Sequence, residues 1–75
     1  MNHQKTLNKI VIQQRDDADF PYNVQLHTSV DGGRSWFYCG IGRFCRTLDD
    51  ARLMRDLLVR NYPNASCREE TVQGD

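Results

Sequence analysis

No apolar run in this 75-residue chain approaches the ~18 residues of a membrane-spanning helix. Neither sign of charge predominates, since ten basic residues face ten acidic ones. That balance removes the broad cationic field of a protein that holds nucleic acid chiefly by neutralising phosphates, so any such contact is expected to be local. Cysteine is scarce and odd in number: Cys39, Cys45 and Cys67 cannot all pair within one chain, whereas small exported domains ordinarily carry an even set. Residues 1–9 are polar and basic with no apolar stretch behind them, which is not the pattern of a secretory signal. Reduced thiols in a cytoplasmic protein are the expectation. On that expectation the glycosylation acceptor pattern Asn64-Ala65-Ser66 has no route that would use it.

Catalytic and ligand motifs are missing as well. Gly40-Ile41-Gly42-Arg43-Phe44-Cys45 begins as a phosphate-cradling G-x-G-x-x-G does, but Cys45 stands where the third glycine belongs and no Gly-Lys-Ser/Thr is present. Cys39, Cys45 and Cys67 with His27 contain no close pair of the C-x2-C type that structural zinc sites show; Cys39 and Cys67 are instead read as small hydrophobes and Cys45 as a loop thiol. Asp16, Asp17 and Asp19 lack the alternating oxygens, central glycine and terminal glutamate of a calcium loop. No carboxylate pair and no Ser-His-Asp order is set up for acid, base or nucleophilic work. A single core of this size supplies only ~3–5 kcal/mol, leaving little for an enclosed reaction chamber. The expectation is therefore no enzyme, no metal and no cofactor.

What is present is concentrated in residues 22–51. Tyr22, Val24, Leu26, Thr28 and Val30 alternate with Asn23, Gln25, His27 and Ser29, the period-two pattern of a strand with one buried face. An Asp31-Gly32-Gly33 turn leads to a return strand carrying Trp36-Phe37-Tyr38. A two-residue loop, Asp31-Gly32 or Gly32-Gly33, or a four-residue loop ending at Arg34, sets Phe37, Cys39 and Ile41 beside Leu26 and Val24 and leaves Trp36 and Tyr38 with His27 and Gln25 on the polar face. A three-residue loop with a glycine bulge reverses the faces. The first arrangement is favoured because glycines suit the primed two-residue turns.

Upstream, Leu7–Gln14 reads as a strand on the β-branched density of Ile10, Val11 and Ile12, and residues 15–21 as an acidic loop closed by Pro21. Downstream, Gly40 and Gly42 let the chain leave the sheet for a helix capped by Thr47, with Asp49 and Asp50 in its first turn. Ala51, Met54, Leu58 and Tyr62 form its apolar stripe, Leu53 and Leu57 widen it, Asp56 and Arg60 pair on the other side, and Pro63 ends it. Ser66 to Val72 reads as an edge strand, because Arg68, Glu69 and Glu70 suit an exposed position. The fold class is α+β: an antiparallel sheet of three or four strands, in sequence order βββαβ, with one amphipathic helix over residues 47–62 packed on one face. One domain spans residues 1–75, with 1–6 and 73–75 frayed.

Function is expected on the surface. Arg34, Arg43 and Arg46 lie in a stretch without an acid between Gly32 and Leu48, interleaved with Trp36, Tyr38 and Phe44. Eight of the ten basic residues are arginine, which favours planar, bidentate contacts. Trp, Tyr and Arg dominate protein hot spots, so a regulator or inhibitor that binds another protein through Gln25, His27, Arg34, Trp36, Tyr38, Arg43, Phe44 and Arg46 is the leading expectation. The alternative is an accessory protein that uses the same face to bind DNA or RNA, because basic side chains beside aromatics also suit stacking and phosphate contact. An exposed aromatic face or edge strand invites a homodimer.

Arg43-Phe44-Cys45-Arg46-Thr47-Leu48-Asp49-Asp50-Ala51, following a run of strands, resembles the arm-binding domains of phage-type integrases, in which an aromatic, a threonine cap, acids and an alanine open the helix. The resemblance covers about half the chain and implies a sheet with one packed helix. Those domains are basic and this chain is neutral, so only the fold expectation is taken from it.

Overall fold

A computed structural model describes residues 6–71. The elements are β1 (Leu7–Gln14), β2 (Tyr22–Ser29), β3 (Phe37–Cys45), α1 (Leu48–Asn61) and β4 (Ser66–Thr71). The expected βββαβ sequence is thus present, in a four-stranded sheet of spatial order β3-β2-β1-β4. The expected frayed ends lie, Thr6 apart, outside the described residues.

The sheet is mixed, which corrects the antiparallel expectation. β1 pairs with β2 and β2 with β3 antiparallel, whereas β4 pairs with β1 in parallel. The cause is the crossover. A 14-residue helix spans ~21 Å and carries the chain back along the sheet, so β4 starts at the same end as β3 and runs in its direction.

The core lies between α1 and one face of β1 and β2, where Ile10, Ile12, Val24 and Leu26 meet Cys45, Ala51 and Leu58. Tyr22, Leu48, Met54, Val59, Tyr62 and Ala65 close its margins. In β1 the neighbouring Val11 is buried too, on the opposite face, because β1 is an inner strand flanked there by Gln25 and Arg68.

β3 departs furthest from expectation. It continues through Gly42 to Cys45 instead of ending at Ile41. Tyr38 pairs with His27, but the ladder then shifts so that Gly42 pairs with Gln25, Arg43 with Val24 and Cys45 with Tyr22. Cys39, Gly40 and Ile41 thus bulge opposite Leu26, and Gly40 takes the positive φ of 88° that lets the strand turn out and rejoin. The glycines keep the chain in the sheet. Ile41 does not oppose Val24, and Phe37 opposes Thr28, so these apolar residues stay exposed on an edge strand.

The cysteine pattern is the reverse of the one expected. Cys45, facing the helix, is buried, while Cys39 and Cys67 are exposed, the first in the bulge with its thiol on the Leu26 carbonyl at 3.2 Å and the second on the edge strand β4. Burial pushes the Cys45 thiol pKa up.

The helix begins as its sequence requires. Thr47 is extended at φ −130°, ψ 158°, and its hydroxyl accepts from the Asp50 N–H at 3.1 Å. Thr47→Ala is expected to cost ~1 kcal/mol, read as a lower urea midpoint with an unchanged slope. Asp56 pairs with Arg55 at 3.1 Å and not with Arg60, as the sequence suggested. On one flank Arg52 grips Glu69 of β4 through two hydrogen bonds of 3.0 and 3.1 Å, joined by Arg55 at 3.4 Å. Those bonds hold the Glu69 carboxyl below its usual pKa. On the other flank Leu53 and Leu57 stay outside the core, at 60% and 45% exposure.

Candidate functional site

The sheet face opposite α1 is covered by no other element among the described residues. Period-two alternation sends Lys9, Val11 and Gln13 of β1, Asn23, Gln25 and His27 of β2, and Tyr38 of β3 to that side. His27 and Tyr38 are direct cross-strand neighbours with ring centroids 6.0 Å apart and planes inclined by 47°, a tilted contact of the favourable kind. The His27 Nε2–H donates to the Gln25 amide oxygen at 2.9 Å. Partial burial holds the His27 pKa below the ordinary imidazole value, the Lys9 charge pushes the same way, and Glu70 opposes them. The ring is therefore neutral at pH 7. By linkage, stability is lost as the pH falls below the unfolded histidine's pKa, where the unfolded chain takes up the proton more readily.

Trp36 precedes β3 and is carried by the connection at residues 30–36, which is longer than any of the loops the sequence suggested. The loop is built around two small polar groups. The Asp31 carboxylate accepts from the Ser29 hydroxyl at 2.7 Å, the Ser35 N–H at 2.9 Å and the Ser35 hydroxyl at 2.6 Å. The buried Ser29 oxygen accepts from the Gly33 N–H at 2.9 Å. Gly32 and Gly33 supply the positive φ values of 74° and 98°. Ser35 first, then Ser29, holds the Asp31 carboxyl far below the carboxylate range. Its contribution is in place above the unfolded aspartate's pKa and fades only as the pH falls through the depressed value. The loop lays the half-buried indole against the open face, where Lys9 Nζ sits 4.5 Å from its centroid, inside cation–π range.

Of the eight residues singled out in the sequence, the structure gathers four, Gln25, His27, Trp36 and Tyr38, on this face. Arg34 is exposed on the loop. The other three, Arg43, Phe44 and Arg46, line a groove of about 380 Å³ between the end of β3 and α1, together with Phe20, Leu53, Met54 and Leu57; Phe44 opposes Asn23 and so lies on the open-face side of β3, while Arg43 opposes Val24 on the helix side. At its mouth Arg15 lies over Phe44 at 4.6 Å, Phe44 meets Phe20 at 6.5 Å, and Arg46 lies over Phe20 at 5.3 Å. Arginine and aromatic alternate in that stack. Lys9, Arg15 and Phe20 were not singled out in the sequence. Lys9 was hidden by the uncertain facing of β1, and the other two sit in a loop whose docking depends on contacts distant in sequence.

Among the described residues no group of three or more His, Cys, Asp or Glu side chains is arranged to hold a metal ion, and no helix is long and apolar enough to cross a membrane. No family model, curated protein or solved structure matches the chain. The arrangement offers two aromatic anchors, a neutral imidazole with a fixed amide, and a cationic rim, which together suit recognition.

Proposed function

We propose that this chain is a small non-catalytic interaction protein, a regulator or inhibitor, that takes a protein partner on the open face of its sheet. The observation that carries the reading is the juxtaposition of Trp36, Tyr38 and His27 on a face that no other element covers, with Tyr38 still 48% exposed. A domain of this size has few large apolar groups to spare, and exposed aromatics ringed by polar side chains mark binding surfaces. Lys9 and Arg34 stand at the rim without an ion-pair partner among the described residues.

The second reading, a nucleic-acid binder, is favoured by one observation, the Arg15–Phe44–Phe20–Arg46 stack, whose exposed rings and guanidinium groups match base stacking and phosphate contact. The two readings separate on salt and nuclease. In a cross-linked pull-down from source cells, the parent chain is expected to retain a protein partner after nuclease treatment, with shallow salt dependence. Trp36→Ala with Tyr38→Ala should weaken capture at least thirtyfold, about 2 kcal/mol, as truncation of a hot spot does. Capture abolished by nuclease, with a steep salt slope, would replace the first reading by the second.

A further inference from the structure

The flank of α1 turned away from Glu69 carries Asp50, Leu53, Leu57 and Arg60 at steps of three, four and three, the a/d spacing of a helix-pairing seam. Leu53 and Leu57 are the exposed leucines described above, and they overhang the groove beside β3. α1 lies across β1, β2 and β3, and the groove stays open where Leu53 and Leu57 overhang the end of β3. The ends of the seam carry opposite charges, and neither Asp50 nor Arg60 has an ion-pair partner among the described residues, while Arg52 and Arg55 on the other flank are engaged.

We propose that the groove and this seam receive α1 of a second copy, antiparallel to the first, about a two-fold axis at the level of Arg55. The level of Arg55 is halfway between Leu53 and Leu57 and also halfway between Asp50 and Arg60. In that one alignment Leu53 packs against Leu57 of the second copy while Asp50 faces Arg60 of the second copy, and each contact occurs twice, as an isologous interface requires. The seam is complementary to itself in shape, charge and helix dipole, which selects a second copy over an unrelated amphipathic helix. The open sheet face takes no part, so the assembly presents two copies of it, and the inference stands or falls independently of the function proposed above.

Sedimentation equilibrium from ~1 μM to ~1 mM, the span over which a modest interface of this kind associates, is the test. The parent chain is expected to show a monomer–dimer equilibrium, and Leu57→Asp to weaken it at least tenfold with an unchanged circular dichroism spectrum. Asp50→Arg alone and Arg60→Asp alone set like charges against each other and should each be monomeric. An equimolar mixture of the two should recover a heterodimer, because the antiparallel alignment then opposes unlike charges at both ends. If Asp50→Arg frays the helix start, Leu57→Asp remains decisive, since its side chain is exposed and far from the cap. A parent chain monomeric throughout, a dimer indifferent to Leu57→Asp, or folded charge variants whose mixture stays monomeric would each overturn the proposal.

Discussion

Leu26→Ala is expected to leave the domain largely unfolded at room temperature. Leu26 is 1% exposed, pairs across the ladder with Ile10 and belongs to the cluster that meets Ala51 and Leu58 of the helix. Truncating a leucine so placed costs ~2–5 kcal/mol, because the transfer free energy is lost and a cavity remains. A domain of this length has only ~3–5 kcal/mol in total. Urea titration followed by circular dichroism, at micromolar concentration so that association adds nothing, should show the transition moved to very low urea or gone. Leu53→Ala in the same experiment should shift stability by no more than ~0.5 kcal/mol, as an exposed substitution does. Equal effects at the two leucines would mean that α1 does not present its Ala51–Leu58 face to the sheet.

The contrast between those leucines shows what sequence could and could not supply. Period-two alternation in β2 was legible because one of its faces meets the helix and the other does not, so Val24 and Leu26 separate cleanly from Gln25 and His27. β1 gave no such separation, because Ile10, Val11 and Ile12 are all buried, and with its facing went Lys9 and the contact it makes with Trp36. The helix was legible from its cap, its acids and its period, but periodicity alone could not distinguish the leucines that reach the sheet from those that overhang its edge. That depends on where a 14-residue helix settles across four strands. The parallel pairing of β4 follows from the crossover and was within reach of the element order alone. The bulge at Gly40 was not, because glycine in a strand pattern signals an exit, a bend or a close approach with equal force. The face shared by Gln25, His27 and Tyr38 was legible despite the wrong loop length, since the eight residues between Thr28 and its partner Phe37 are an even number, as in the two- and four-residue loops, and an even connection leaves each side chain on its expected side.

Gly42 is where strand pairing and the proposed binding face depend on the same atom position, and Gly42→Val is expected to damage both. A Cβ at residue 42 would stand 2.7 Å from the Val24 carbonyl oxygen and 2.8 Å from the Tyr38 hydroxyl. The phenol can swing aside. The carbonyl belongs to the backbone of β2 and cannot yield without opening the β2–β3 ladder just where it resumes after the bulge. Overpacking of this kind costs ~1–3 kcal/mol, a large share of the stability available. Gly40→Ala separates the causes: a Cβ there meets nothing within 4 Å, and only the φ of 88° is strained, so any loss comes from backbone conformation and leaves Tyr38 in place. The expected pattern is a lowered urea midpoint for both variants, with the Tyr38 ring resonances displaced and partner capture reduced only for Gly42→Val. If Gly42→Val were as stable as the parent, with Tyr38 undisturbed, then Gly42 would not pair closely with Gln25 and Tyr38 would not lie over it. The anchor of the open face would then have to be sought elsewhere on β3.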